Sequence, residues 1–252
     1  MIVFPNAKIN IGLNVVEKRS DGFHNIESVF YPIFDVVDVL EIVESDELSF
    51  SSSGISIPGA SSSNLCLKAF QLLKNEFDIP PVKIHLHKMI PIGAGLGGGS
   101  ADAAFTLKVL NELFQLELSN EKLCAYSRML GSDCAFFINN KPVYAAHKGD
   151  EFEAISLDLS AYKIVIKYPN IHIGTAEAYG GIVPKLANKN IKDLIETAVV
   201  NWKETVVNDF EAAVFPHHPA IKKMKEQMYL NGAVFAAMTG SGSAVFGLFE
   251  KK

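Results

Sequence analysis

Cysteine is scarce in this chain. Cys66, Cys124 and Cys134 are its whole supply, an odd number at spacings that match no zinc pattern. Neither a disulfide framework nor a structural zinc is expected, and the three thiols read as buried in a reducing cytosol. Long apolar runs are missing as well. No stretch holds about 18 uninterrupted apolar residues, so no membrane-spanning helix is expected. The start, Met1-Ile2-Val3-Phe4-Pro5-Asn6-Ala7-Lys8, lacks the basic head and long apolar run of a signal peptide. Positive charge is not in excess either. The net charge of −5 advertises no electropositive footprint for nucleic acid. The expectation is a cytoplasmic protein without membrane or nucleic-acid partner, as a monomer or a homodimer. An acidic total does not exclude an anionic ligand, because backbone N–H groups bind phosphate locally.

What is present is an ordinary globular composition, 48% hydrophobic and 20% charged over 252 residues, enough for one large domain or two moderate ones. Residues 2–16 alternate as a strand with Ile9, Ile11, Leu13 and Val15 on one face. Further strands are expected at Glu27–Phe34, Val36–Val43 and Val82–His87, with Ser45–Ser63 as loop or hairpin. Asn64 is placed to cap a helix ending near Phe77. Helical patterns follow at Ala101–Phe114 and Ser119–Met129, the latter stopped by Gly131. The pattern restarts near residue 150. Strands are expected at Ala154–Leu157, Tyr162–Tyr168, Ala233–Met238 and Ala244–Phe249, and helices at Ile191–Val200, Asn208–Val214 and Pro219–Leu230. Strands mixed with helices in both halves predict an α+β protein whose two lobes, 1–150 and 151–252, meet at 145–160.

Five glycines crowd into Gly93–Gly99, between a strand-like and a helix-like run. Glycine weakens regular structure, so this cluster serves something else. Free N–H groups and the positive end of a helix dipole converge there, which suits phosphate. The candidate cradle is Pro91, Ile92, Gly93, Ala94, Gly95, Leu96, Gly97, Gly98, Gly99, Ser100 and Ala101, with the Ser100 hydroxyl able to reach a phosphate oxygen or a magnesium ion. No Lys follows the glycines, so it is not a P-loop. The letters of a dinucleotide fingerprint occur in Gly93–Gly98. The acids about twenty positions on, Glu112 and Glu117, fall in or just after a helix-like stretch rather than at a strand end.

Lys8 and Asn10 share one strand face, either a site or the solvated side of an edge strand. Asp133 is a lone acid in the apolar run Leu130–Phe137. A buried carboxylate needs a partner, and Lys8 is a candidate, unless Asp133 simply caps a helix. Thr239-Gly240-Ser241-Gly242-Ser243 reads as a tight turn between strands, whose free N–H groups would also suit phosphate.

Pro5–Asn10, Pro91–Ala104 and Thr239–Ala244 occur in the order of three motifs, and together the chain resembles the GHMP kinases. The stretch Arg19-Ser20-Asp21-Gly22-Phe23-His24 and the triple glycine are the more specific marks. The resemblance implies a two-lobed fold, with an N-terminal β-α-β lobe of left-handed crossover and a ferredoxin-like C-terminal lobe, and transfer of the ATP γ-phosphoryl group with Mg2+. The acceptor it implies is the C2 hydroxyl of a methylerythritol bearing a cytidine diphosphate group. Asp133 then matches the catalytic base and Lys8 its partner, which would keep the carboxylate charged. Asn10 and Thr175 match positions at the methylerythritol end. His24 matches the reader of the cytosine edge, and Phe23, Phe30 and Tyr179 match flanking aromatics; without that match Phe30 and Tyr179 read as core. Asn64 and Lys88 are matched to the adenosine, against a helix cap and a solvated charge. Three positions depart from the pattern: Ala101 for a second Ser, Ala135 for Pro, and Phe23 for Tyr. Another small alcohol such as mevalonate or homoserine, or a nucleotide-binding protein without catalysis, is the competing reading.

Overall fold

A computed structural model describes residues 1–60, 63–186 and 189–251. Two compact units interleave along the chain. The first is Met1–Lys8, Pro32–Ile92 and Gly97–Lys141; the second is Ile9–Tyr31, Gly93–Leu96 and Pro142–Lys252.

The first unit is built on strands β1 (Ile2–Val3), β4 (Val39–Glu44), β5 (Ser49–Gly54) and β6 (Val82–Lys88). Their order is β1-β4-β6-β5. β4 and β6 are antiparallel, with Leu40 opposite Leu86 and Ile42 opposite Ile84. These four side chains are buried, as strict alternation requires of a sheet covered on one face. α2 (Gly98–Leu113) packs against β4, and α1 (Leu65–Phe77), α3 (Asn120–Leu130) and the short α4 (Phe136–Asn139) pack on α2. Asn64 caps α1 through its side chain, as its sequence position suggested, and Ser119 caps α3 in the same way.

The second unit holds most of the sheet β2-β3-β7-β8, from β2 (Asn6–Lys18), β3 (His24–Val37), β7 (Val143–Ala146) and β8 (Glu151–Ala154). It also holds an antiparallel sheet β10-β11-β9, from β9 (Tyr162–Lys167), β10 (Phe235–Met238) and β11 (Val245–Glu250). Its helices are α5 (Thr175–Gly180), α6 (Ile191–Ile195), α7 (Phe210–Val214) and α8 (Pro219–Leu230), and α8 packs on β10 and β11. Leu13, Val15, Ile26, Phe210, Ile221 and Met238 belong to one core.

Several elements differ from expectation. The serine-rich segment is not simply loop: β5 pairs in parallel with β6. It is an edge strand with only Phe50 partly covered, so it carries no hydrophobic alternation. Ser51 and Ser53 hydroxyls meet the imidazoles of His85 and His87 instead. The rest of that expected loop at residues 61 and 62 lies outside the described residues. The strand expected at 154–157 ends at Ala154, and β7 went unread, because each is four residues long. Ile191–Val200 is not one helix. It breaks after Ile195 into a 3₁₀ turn at Val199–Glu204, where the Thr197 hydroxyl donates to the Leu194 carbonyl at 2.6 Å and competes with the helical ladder. α4 and α5 are too short to show periodicity.

Candidate active site

Lys8 lies near the start of β2, whose residues Asn6–Val15 are all buried; it is not on the solvated face of an edge strand. Its Nζ stands 3.2 Å from Asp133 Oδ2, with side chains 4% and 28% exposed. Asp133 sits in the turn between Gly131, where α3 stops, and α4. Cys134 N–H donates to the Gly131 carbonyl and Phe136 N–H to that of Asp133. Asn6 and Asn140 exchange amide hydrogen bonds of 3.2 and 2.6 Å, which brackets the segments carrying Lys8 and Asp133.

Gly97 precedes α2 with φ +72°, and a Cβ there would fall 2.9 Å from Lys8 Cγ and 3.0 Å from Phe137 Cζ. Only glycine satisfies both the left-handed backbone and the close approach. The next N–H groups, at Gly98, Gly99 and Ser100, open the helix without intrahelical acceptors. A Cβ at Gly99 would meet nothing nearer than Leu65 Cδ1 at 3.9 Å. Helical glycine costs about 1 kcal/mol relative to alanine, and no protein neighbour demands it there, so the open side suits an anion approaching the backbone. Ser100 is half-buried and hydrogen-bonds the thiol of Cys134, which burial pushes up to about 11. Ala94, Leu96 and Ala101 are buried, so they offer backbone at most.

Lys88 is neither solvated nor free to meet a nucleoside with its ammonium. Its Nζ bonds Asp38 Oδ2, and Asp102 Oδ2 at 2.8 Å, in a cluster with side chains no more than 4% exposed. Asp38 Oδ1 also accepts the N–H groups of Met89 and Ile90, at 2.6 and 2.8 Å. Burial, then the charge of Asp38, raises the Asp102 carboxyl to about 7 against the opposing pull of Lys88. Asn64 Oδ1 accepts the Cys66 N–H at 2.8 Å; it serves as a helix cap.

In the second unit, Asn10 is buried. Its N–H donates to Thr239 Oγ1 and its Nδ2 to Ser28 Oγ, both at 2.9 Å. Thr239 Oγ1 in turn donates to the Gly95 carbonyl at 3.1 Å, and Ala244 N–H to that of Ala94. The Thr239–Ser243 turn therefore holds the middle of the glycine run. Gly95, at φ +77°, lies so close that a Cβ would come 2.0 Å from the Thr239 carbonyl oxygen.

His24 stacks on Tyr179, with ring centroids 4.6 Å apart at 19°, and Tyr179 meets Phe210 edge-on. Burial and then the nearby Lys18 hold the His24 imidazole below its ordinary pKa. Phe23 is 60% exposed under Lys148 Nζ, 5.4 Å from the ring centre. Thr175 is exposed at the start of α5. Phe30 is a correction: 1% exposed and tilted on Phe152 at 5.9 Å, it is a core aromatic and has no face to offer a base. A cavity of about 300 Å³ lies among Glu177, Gly180, Gly181, Ala213, Val214 and His217, none of them a candidate from the sequence.

The residues that sequence reasoning missed are Asp38, Asp102, Ser28 and Thr239's hydroxyl. Asp38 and Asp102 carry the same signal as Asp133, a lone acid in an apolar run.

The pattern of the GHMP kinase N-terminal domain matches residues 64–141, and that of the C-terminal domain residues 182–252. The chain is 55% identical to the 4-diphosphocytidyl-2-C-methyl-D-erythritol kinase of Cytophaga hutchinsonii, covering 100% of this chain and 93% of that protein. It is 51% identical to the like-named enzyme of Parabacteroides distasonis, over 100% and 92%. A crystal structure of 4-(cytidine 5'-diphospho)-2C-methyl-D-erythritol kinase superposes with TM-score 0.82 at 30% identity, over 98% and 90%. The mevalonate kinase of Methanococcus jannaschii superposes with TM-score 0.70 at 17% identity, over 99% and 90%, and shares the fold. The chain belongs to the GHMP kinase family, whose members are phosphotransferases that take ATP as donor. Among the described residues no helix is long and apolar enough to cross a membrane.

Proposed function

We propose that this chain phosphorylates the C2 hydroxyl of 4-diphosphocytidyl-2-C-methyl-D-erythritol with ATP, a step in making isoprenoid precursors by the non-mevalonate route. Half-identity over full length to enzymes of that name carries the reading. As sequence domains, 1–150 serves ATP binding and 151–252 completes the enzyme.

Asp133 takes the proton of the acceptor hydroxyl. The hydroxyl oxygen then bonds to the γ-phosphorus, the bond to the β-phosphate oxygen breaks, and ADP leaves. Lys8, 3.2 Å from Asp133, orients that carboxylate and offsets negative charge on the transferring group. The N–H groups of Gly98, Gly99 and Ser100 hold phosphate oxygens at the positive end of α2. Bound with the triphosphate, Mg2+ would neutralise charge on the β- and γ-oxygens, and the Ser100 hydroxyl is the side chain here that would reach it. Asn10 and Thr175 orient the methylerythritol end. The stacked His24 and Tyr179, with Phe23, receive the cytosine.

Two measurements test this. Turnover is compared with the cytidine alcohol, mevalonate and homoserine as acceptors; preference for either of the latter refutes the assignment. Asp133→Ala is expected to keep ATP binding and lose turnover by about 10³-fold. Near-normal turnover would refute the base.

A further inference from the structure

We propose that the buried cluster Asp38–Lys88–Asp102 is a positioning device for the phosphate-binding end of α2, its three side chains acting as positioning residues in phosphoryl transfer. This rests on the reading that the glycine run holds the ATP phosphates.

The first observation is where the cluster ties the chain. Lys88 is the last residue of β6. Asp38, between β3 and β4, binds Lys88 and the N–H groups of Met89 and Ile90, the residues that lead into Pro91. Asp102 lies one turn into α2 and binds Lys88 at 2.8 Å. The same ammonium therefore pins the segment entering the glycine run and the helix leaving it.

The second is the contact with α2 itself. A Cβ on Gly98 would stand 2.8 Å from Lys88 Nζ and 2.8 Å from Ile90 Cγ2. The helix start is packed directly on the ammonium, and glycine at position 98 is required by that packing. Within Gly97–Gly99 each glycine thus has its own reason: Gly97 makes room for Lys8, Gly98 for Lys88, and Gly99 for no protein group.

The third is energetic. Two carboxylates share one ammonium, all nearly sealed from water, and Asp102 Oδ1 is buried with no donor opposite it. Apolar residues of similar volume are commonly as stable or more stable than such a cluster. Stability alone does not account for it. Charged hydrogen bonds fix distance and direction, which apolar packing does not. Direction is what the Gly98, Gly99 and Ser100 N–H groups need, since a displacement of about 1 Å at a reacting group costs about 100-fold in rate.

The test measures kcat, both KM values and the melting temperature of the full-length enzyme. Asp102→Asn keeps the shape and an acceptor for Lys88, and ATP KM is expected to stay within about threefold of wild type. Asp102→Ala is expected to lose about 100-fold in kcat/KM for ATP, with ATP KM raised and the KM of the cytidine alcohol unmoved. Asp38→Leu, Lys88→Met and Asp102→Leu combined are expected to melt no lower than wild type and still lose ATP efficiency. The proposal is overturned if the triple variant keeps wild-type ATP kinetics. It is also overturned if Asp102→Ala leaves ATP KM unchanged, or shifts both KM values equally in step with melting. A triple variant that does not fold leaves the Asn and Ala pair to decide. Gly99→Val, assayed alongside, tests the underlying reading separately: normal ATP KM there refutes phosphate binding by the glycine run, whatever the Asp102 variants do.

Discussion

Lys8 with Asp133, and Lys88 with Asp38 and Asp102, are the same chemistry in two settings of one compact unit. Both set a lysine against aspartate at the edge of the glycine run. Asp133 keeps 28% of its side chain exposed, whereas Asp38 and Asp102 keep 0% and 4%. The open carboxylate can receive a hydroxyl and its proton. The sealed ones can reach no solute, so their charge can act only on the protein. Solvent access, more than residue type, separates a reacting pair from a holding pair.

The comparison is broken most directly by removing each ammonium. Lys88→Met takes the cation from two buried carboxyl groups and is expected to cost about 3–5 kcal/mol in urea unfolding. Lys8→Met is expected to lower turnover about 10²- to 10³-fold, while costing only about 1 kcal/mol, because a half-open pair is cheap to lose. Equal losses of stability in the two variants would erase the distinction.

The two phenylalanines at the expected cytosine end pose a smaller version of the same question. Phe30→Leu is expected to destabilise by about 1 kcal/mol and leave the KM of the cytidine alcohol alone, whereas Phe23→Leu should move stability by less than about 0.5 kcal/mol and raise that KM. The reverse pattern would return Phe30 to the binding surface.

How far the sequence foretold this follows from what each residue does locally. Caps and breakers such as Asn64, Ser119 and Gly131 act within a turn of themselves, so α1 and α3 were legible almost to their ends. β5 was not, because an edge strand of serines owes its place to β6 and carries no alternation of its own. Asp133 and Lys8 were legible as a pair, since a lone acid in an apolar run demands a cation. The same argument applied to Asp38 in Val36–Leu40 and Asp102 in Ala101–Ala104 would have found the second cluster. Lys88 is placed at the adenosine by the resemblance alone, with a solvated charge as the alternative; the alternation of Val82–Lys88 puts it with Ile84 and Leu86 on the buried face. Phe30 reads as core on its own and is placed at the base only by the resemblance; it packs on Phe152, which lies 122 residues further along.

The smallest effect concerns His24. Its stack on Tyr179 needs no charge, and burial followed by Lys18 holds its pKa below the ordinary value. A group so lowered stays neutral to a lower pH than an ordinary histidine and takes its proton on the acid side of that range. If the neutral ring reads cytosine, the KM of the cytidine alcohol should be level from pH 8 to about 6.5 and rise only below that. His24→Gln should flatten the acid limb while ATP KM keeps its own profile. A rise that begins above pH 7, or one that survives His24→Gln, would mean that a different group titrates, and the stacked pair would then be holding α5 against the β2–β3 hairpin rather than reading a base.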